Sequence, residues 1–358
     1  SWGAIIAPFI VGLIADRFFN AERILGVLHL CGAVLMYMMY QAGDFTTFYP
    51  YVLGYMIAYM PTLALVNSVA FGQMTNPSKE FGKIRVWGTV GWIVAGLLIS
   101  YVFSWDSTSA IADGMLRNTF MLCAIASLAL GIFSFTLPAT PPKAAGQKTG
   151  LRDVLGLDAL ALLKDKNFFI FFLSSVLICI PLAFYYQNAN PFLTEIGVEN
   201  ATGKMTLGQV SEVLFMLALP VFLNKFGIKA TLLIGMAAWV IRYALFAFGN
   251  ADEGLFMLIV GIALHGICYD FFFVSGQIYT DAKAGDRIKS AAQGLITLAT
   301  YGIGMLIGFA VAGKITDEYT TATSHSWQDI WLFPAGFAAV VLVIFLVLFK
   351  SEKVSTDA

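Results

Sequence analysis

Charged residues are scarce in this chain of 358 residues. They make up 12% of the chain, whereas a soluble domain carries about 25%, so the composition excludes an ordinary water-soluble globular protein. Lysine and arginine (21 residues) nearly balance aspartate and glutamate (22 residues), and the formal net charge is −1. This balance excludes the strongly basic surface of a nucleic-acid-binding protein.

Cysteine and histidine are also rare, with four and three residues respectively. The cysteines lie far apart inside apolar stretches, which favours packing roles over disulfides or a metal site. The motifs HExxH and GxSxG and a phosphate-cradling glycine-rich loop are missing from the sequence. We therefore expect no metal, no cofactor and no catalytic residues.

Long apolar runs, in contrast, dominate the chain: 59% of the residues are hydrophobic and the mean hydropathy is +0.79. A helix needs about 20 apolar residues to cross the hydrocarbon core of a bilayer. The sequence predicts the segments 1–15, 24–42, 48–71, 82–103, 118–137, 167–192, 205–224, 229–248, 254–280, 287–313 and 328–349. The first is too short to cross and lacks the features of a signal peptide, so we interpret the chain as a fragment lacking what precedes Ser1.

The positive charges predict the orientation of these segments. Of the 21 lysines and arginines, seventeen fall in one alternating set of loops and in the tail, three fall in the opposite set, and Arg242 lies within a segment. By the positive-inside rule the first set, which includes the C-terminal tail, is cytoplasmic.

The longest connection, 138–166, opens with prolines and ends in LRDVLGLDALALLKDK, which predicts an amphipathic helix on the cytoplasmic face; a plain linker is the alternative. It separates an N-terminal half (1–137) from a C-terminal half (167–350), followed by a short tail (351–358).

The two halves share a weak internal repeat, formed by GLIADRFFNAERIL at 12–25 and PVFLNKFGIKATLL at 220–233. Such a repeat is expected of transporters built from two related halves.

Several of these strings resemble a known family. GLIADRFFNAER resembles the major-facilitator signature, and the nucleoside–proton symporters of that superfamily are matched, in order, by YMPTLALVNS (59–68), IRVWGTVGW (84–92), GQVSE (208–212), WVIRYALFAFGN (239–250), YDFFFVSG (269–276) and RIKSAAQG (287–294). The resemblance implies an all-α major-facilitator fold of two six-helix halves, with the first helix and part of the second missing from this chain. It also implies that Asp16 and Arg17 latch the cytoplasmic side.

The function implied by the resemblance is import of nucleosides with protons, by alternating access, across the cytoplasmic (inner) membrane of a bacterium. We expect a monomer embedded in the lipid bilayer. Two alternatives stay open: the same fold transporting another solute, such as a sugar or a drug, and a membrane-embedded protein that is not a transporter.

Candidate residues for nucleoside binding lie in both halves. Arg85, Thr89 and Trp92 are spaced so that they share one helix face, and the resemblance places them in the substrate cavity. On sequence alone they also fit an interfacial anchor, a helix-bonded hydroxyl and a packing residue. Asn67, an amide inside an apolar segment, is either a cavity ligand or a contact between helices.

In the C-terminal half, Gln209 and Glu212 share a face, and the resemblance implies that both hydrogen-bond the nucleoside. A carboxylate inside the membrane is costly unless it has a function or a partner. Asp270, in the middle of a segment, is therefore the first candidate proton carrier and Glu212 the second. The alternative for Asp270 is a structural ion pair with Arg242.

His265 and Tyr269 lie four residues apart on one face. The family pattern has tyrosine and phenylalanine at these positions, so His265 changes base preference or titrates near neutral pH. Two further ligand positions of the family fall on Ala183 and Tyr186, so those roles are not carried over. Tyr186, Gln187 and Asn190 are the candidate substitutes.

Overall fold

The computed structural model describes residues 20–74, 77–141, 157–284 and 288–351. The first predicted segment, with Asp16 and Arg17, lies outside the described residues. Within them the structure is almost entirely helical. The α-helices are α1 (Ala21–Gln41), α2 (Phe45–Gln73), α3 (Pro77–Leu97), α4 (Thr108–Ala112), α5 (Asn118–Ser134), α6 (Lys166–Glu195), α7 (Ala201–Phe248), α8 (Leu255–Ala263), α9 (His265–Tyr269), α10 (Ser275–Ala284), α11 (Lys289–Thr297), α12 (Met305–Glu318) and α13 (Trp327–Leu348).

In the described part of the chain, three π-helical turns directly follow an α-helix, at Leu98–Val102, Asp270–Val274 and Leu298–Gly304. Because of these turns, α8 to α10 form one broken span, Leu255–Ala284, and α11 and α12 form another, Ala292–Glu318. Such turns are short, are often found at functional sites, and re-aim the side chains that follow them. The second turn begins at Asp270, next to the candidate binding residues of α9.

Eight helices in the described part of the chain are long and apolar enough to cross a membrane, and Val86–Val102 is a shorter apolar helix. One of the eight, α7, has 48 residues, or about 72 Å at 1.5 Å per residue, more than twice the hydrocarbon thickness of a bilayer. Gly227 breaks it, with φ 74° and ψ 174°, a conformation open to glycine because it has no Cβ. All ten segments predicted after the first therefore fall on helices.

The predicted amphipathic helix in the long connection is partly described and differs from the expectation. Residues Leu157–Lys164 form a 3₁₀-helix. Asp165 then begins α6, because its carboxylate accepts a hydrogen bond from the Phe168 N–H at 2.8 Å. That hydrogen bond and the neighbouring Lys283 hold the pKa of Asp165 below its ordinary value. A new helix therefore begins at Asp165, and the 3₁₀-helix before it does not continue into α6.

The chain divides into two units, Ser1–Gly88 with Ser109–Leu155, and Thr89–Thr108 with Gly156–Ala358. In the first unit, α1 packs on α2 and α5. Small residues allow this approach: a Cβ added to Gly131 would lie 3.1 Å from the backbone nitrogen of Leu30. In membranes, packing of this kind replaces the hydrophobic effect as the force between helices.

In the second unit, α7 packs on α13 and α6 packs on α12 and α13. Large aromatic residues fill the space: the Tyr243 and Trp331 rings stack with centroids 5.7 Å apart, and Phe192 and Phe246 both lie edge-on to Trp331. The Tyr243 hydroxyl donates to the Pro181 carbonyl at 2.6 Å. This hydrogen bond satisfies a polar group that would otherwise be buried without a partner.

The start of α7 is held by residues that follow α3. Asp106 accepts a hydrogen bond from the Thr202 N–H at 3.0 Å, and the Ser100 hydroxyl oxygen accepts one from the Gly203 N–H at 2.6 Å. Ser100 also donates to Asp106. The first amides of a helix have no partner within the helix, and the residue preceding α7, Asn200, makes no side-chain cap. Two distant side chains therefore cap α7.

We predict that Asp106→Ala destabilises the protein by about 0.5–2 kcal/mol, the usual cost of losing a helix cap. Asp106 is 4% exposed, so water does not replace the lost acceptor. Thermal unfolding in detergent measures the effect. Asp113→Ala, at an exposed aspartate of the neighbouring loop, is the matched control and should leave the unfolding temperature unchanged. Equal unfolding temperatures for the two variants would contradict the capping role of Asp106.

Candidate functional site

A buried arginine in the second unit organises the most polar part of the helix packing. Arg242 of α7 is 0% exposed. Its Nη1 lies 3.1 Å from Nδ1 of His265 in α9, and its Cζ lies 3.4 Å from the ring centroid of Tyr185 in α6. On the far side of the imidazole, Nε2 of His265 lies 3.9 Å from Oε2 of Glu212 in α7. These four residues, with Tyr269, are called the arginine cluster below.

Aromatic rings enclose the histidine. The Tyr185 ring stacks on His265 with centroids 5.4 Å apart, and the Tyr269 ring lies 6.0 Å away on the same helix. The Tyr269 hydroxyl is 3.0 Å from the hydroxyl of Tyr301, which lies in the third π-helical turn. The arginine cluster thus combines a fixed positive charge, a carboxylate, an imidazole and flat aromatic faces within one helix bundle.

Glycines bring α7 and α9 into backbone contact. A Cβ added to Gly266 would lie 2.5 Å from the carbonyl oxygen of Ser211 and 2.6 Å from the backbone nitrogen of Glu212. A Cβ added to Gly208 would lie 3.1 Å from Cβ of His265. The Ser211 hydroxyl donates to the Ala263 carbonyl across the same contact. The short distance between Glu212 and His265 depends on these small residues.

Three predicted site residues, Glu212, His265 and Tyr269, meet in the arginine cluster. Gln209 is partly buried on α7, one turn before Glu212. Asp270 is 0% exposed and directly follows Tyr269 in the second π-helical turn. The sequence offered an ion pair with Arg242 as the alternative role of Asp270; the guanidinium of Arg242 makes a hydrogen bond to His265.

The remaining predicted residues lie on α2 and α3. Arg85, Thr89 and Trp92 share the helix Pro77–Leu97 as expected, and the side chain of Arg85 lies outside the described part of the chain. Trp92 is 69% exposed, so neighbouring residues do not enclose its side chain. Asn67 is partly buried on α2.

Among the substitutes proposed near residue 186, Tyr186 belongs beside the cluster. It lies close enough to Tyr269, Arg242 and Glu212 to interact with them electrostatically. The residue itself is 46% exposed. Asn190, in contrast, donates to the Thr202 hydroxyl at 3.0 Å, which gives it a contact between α6 and α7. Tyr186 is thus the better placed of these two to meet a ligand.

Sequence reasoning missed Tyr185, a member of the arginine cluster, and Tyr301, whose hydroxyl contacts that of Tyr269. Tyr185 stands beside Tyr186 in FYYQ, and Tyr301 follows a run of small residues; each tyrosine is a common residue in a membrane helix. A pattern within one helix cannot show that Tyr185 stacks on His265, 80 positions away, or that Tyr301 meets the hydroxyl of Tyr269, 32 positions away. The sequence feature that could have indicated this cluster is Arg242, because an arginine inside a predicted membrane segment is rare.

The donors, acceptors and ring faces of the cluster suit a polar, planar solute. An aromatic face stacks on a flat ring, and a few convergent polar groups fix its orientation. A buried carboxylate can also change its charge by taking a proton, which the guanidinium cannot do.

A model of the nucleoside H⁺ symporter family matches residues 1–354 of the chain. The chain is 46% identical to YegT of Escherichia coli K12, over 98% of the chain and 83% of YegT. It is 32% identical to the nucleoside permease NupG of the same bacterium, over 98% of the chain and 85% of NupG. The crystal structure of the nucleoside transporter NupG matches with a TM-score of 0.81 at 30% identity, over 98% of the chain and 88% of that structure. The expected all-α major-facilitator fold is confirmed.

We predict that Gly266→Ala destabilises the protein by about 1–3 kcal/mol, because the added methyl group overlaps the backbone of α7 and the packed helices must separate. Gly336→Ala, on α13, is the matched control, since a Cβ there meets nothing within 4 Å. Thermal unfolding in detergent compares the two variants. A Gly266→Ala protein as stable as the Gly336→Ala protein would contradict the close contact between α7 and α9.

Proposed function

Because the chain belongs to the nucleoside H⁺ symporter family, we propose that it imports nucleosides with protons, by alternating access, across the cytoplasmic membrane of a bacterium. The observation that carries this proposal is the arginine cluster, a set of convergent polar and aromatic groups buried among membrane-spanning helices. Transporters of this architecture hold their substrate near the middle of the membrane, between two related halves.

The chemistry of a nucleoside supports this assignment. Its ribose hydroxyls both donate and accept hydrogen bonds, its base carries donors and acceptors on its edge, and its rings are flat. The cluster and the adjacent Tyr301 offer the complement. Polar atoms of His265 and Glu212 lie 3.9 Å apart, and Tyr269 and Tyr301 present aromatic rings whose hydroxyls are in contact. We assign Gln209, Glu212, His265 and Tyr269 to the nucleoside site, together with Arg85, Thr89, Trp92 and Asn67.

The proton is assigned to the carboxylates. Glu212 lies at the cluster and Asp270 is fully buried, and ionisable side chains inside the membrane characteristically carry protons in transporters. Asp270 is the first candidate and Glu212 the second. Asp16 and Arg17 are assigned to a latch on the cytoplasmic side, as the family resemblance implies.

Two further features complete the proposal. The distribution of lysine and arginine, seventeen against three, supports a C-terminal tail in the cytoplasm. We also propose that the protein catalyses no chemical reaction, because the matched family is one of transporters, and that it works as a monomer.

Uptake of radiolabelled uridine into proteoliposomes tests the function. We expect accumulation above equilibrium when an inward proton gradient is imposed, and equilibration without it. Unlabelled adenosine and a sugar serve as competitors: adenosine should reduce the uptake and the sugar should not. Uptake that responds to the sugar alone would favour the same fold with another substrate, and equilibration under the gradient would contradict the coupling to protons.

We predict that Asp270→Asn abolishes accumulation driven by the proton gradient, because an amide cannot take up a proton at this position. Exchange of labelled for unlabelled uridine should continue, since exchange requires no net proton movement. Asp252→Asn, in an exposed loop, is the matched control and should accumulate uridine as the unchanged protein does. Accumulation by the Asp270→Asn protein would assign the proton to another group, with Glu212 next to be tested.

A further inference from the structure

We propose that Arg242 is a positioning residue, which holds His265 as a neutral hydrogen-bond donor whose Nε2–H points toward Glu212. The proposal deepens the nucleoside-binding role assigned to His265 and rests on it. Arg242 itself lies on the opposite side of the imidazole from Glu212, so it acts on the site through His265.

The donor and acceptor roles follow from chemistry. A guanidinium has only N–H donors, has no acceptor and does not lose its proton in proteins. Because Nη1 of Arg242 lies 3.1 Å from Nδ1 of His265, Nδ1 must be the acceptor in this hydrogen bond. An imidazole that accepts at Nδ1 is neutral and carries its one proton on Nε2. A protonated ring would instead direct an N–H at the guanidinium.

The surrounding contacts keep both side chains in this arrangement. Arg242 is fully buried, and its guanidinium lies flat enough against Tyr185 to reach 3.4 Å from the ring centroid, well within the range of a cation–π contact. The same Tyr185 ring stacks on His265 at 5.4 Å. Gly208 and Gly266 bring α7 against the backbone at His265. The imidazole is therefore held on one side by a ring and on another by the backbone contact between helices.

The consequence lies on the Nε2 side of the ring. Nε2 and Oε2 of Glu212 are 3.9 Å apart, longer than a direct N–H···O hydrogen bond of about 2.7–3.2 Å. A single hydroxyl group can lie within hydrogen-bonding distance of both atoms, accepting from Nε2–H and donating to the carboxylate. A carbonyl oxygen, which only accepts, satisfies the donor alone. The pair is therefore matched to a hydroxyl-bearing solute, and Arg242 maintains the match by excluding the other tautomer.

The tautomer can be observed directly, because the chain has only three histidines. Long-range ¹H–¹⁵N correlation spectra of protein labelled with ¹⁵N-histidine in nanodiscs distinguish a protonated ring nitrogen from a bare one. His265→Phe identifies the His265 signals by their loss, and His29 and His325 are internal controls. We expect a bare Nδ1 and a protonated Nε2. A protonated Nδ1 in the unchanged protein would overturn the proposal.

Two substitutions of Arg242 separate positioning from packing. Lysine is also a donor without an acceptor, so Arg242→Lys should preserve the Nε2–H tautomer. Arg242→Met keeps an unbranched side chain but removes the donor, so the Nδ1–H tautomer should become populated. Uridine affinity, measured by binding to the purified protein, should fall about three- to tenfold in Arg242→Met, the equivalent of one lost hydrogen bond, and recover most of the way in Arg242→Lys.

An Nε2–H tautomer that persists in Arg242→Met would contradict the positioning role. If the methionine variant does not fold, the spectra of the unchanged protein and of Arg242→Lys still decide the assignment. The tautomer is read without any substrate, so its failure is distinct from a failure of the proposed function. Protein that shows the expected tautomer but binds no uridine would refute nucleoside transport and leave the assignment of His265 intact.

Discussion

The buried positive charge of Arg242 constrains the second unit of this protein more than any other single group. An isolated ion inside a low-dielectric bundle is strongly unfavourable, and a buried charge is tolerated only when neighbours compensate it. Here the compensation comes from three helices: a tyrosine face from α6, an imidazole nitrogen from α9 and the carboxylate of Glu212 on α7 beyond the imidazole. The helices must stay in register for all three contacts to persist, so the charge links their positions.

The relative position of these helices depends in turn on glycine residues. Apolar side chains gain little from packing on each other within a membrane, since lipid is equally apolar, and close backbone approach takes over as the stabilising factor. Gly266 allows α9 to lie against the backbone of Ser211 and Glu212. Gly304 and Gly308 do the same for the third π-helical turn and α12 against α6, at Val176 and Cys179. Glycine is thus found where the backbones of neighbouring helices approach most closely.

The helical spans were predictable because each depends on a local property, about 20 consecutive apolar residues bounded by charge. Even the break in α7 was predictable: the polar stretch LNKFGIK separates two apolar runs, and Gly227 adopts the conformation that the break requires. The same local reasoning was less precise at Leu157–Lys164, where an amphipathic helix or a plain linker was expected and a 3₁₀-helix is found. The capping of α6 by Asp165 fixes the start of the next helix and leaves the preceding turn to a tighter winding.

The prediction of site residues likewise succeeded for local features and missed features that depend on several helices. Glu212, His265 and Tyr269 were identifiable, since polar groups inside apolar runs are rare and His265 and Tyr269 lie one helical turn apart. Tyr185, Tyr301 and the Arg242–His265 hydrogen bond were not, because each depends on the mutual position of different helices. For Arg242 the sequence suggested only an ion pair with Asp270, from opposite charge, and the hydrogen bond to Nδ1 of His265 was not foreseen.

This geometry divides the ionisable groups of the site by what each can do during transport. Arg242 cannot release its proton, so its charge stays constant through a transport cycle and can only position other groups. His265 accepts a hydrogen bond at Nδ1, and gaining a proton there would require breaking the contact with Arg242. Glu212 in the cluster and Asp270 directly after Tyr269 are left as the carboxylates that can change charge by taking up a proton. A fixed cation beside carboxylates that can be neutralised fits the proposed coupling to protons, because uptake of a proton by a carboxylate alters the local field while the charge of Arg242 stays constant.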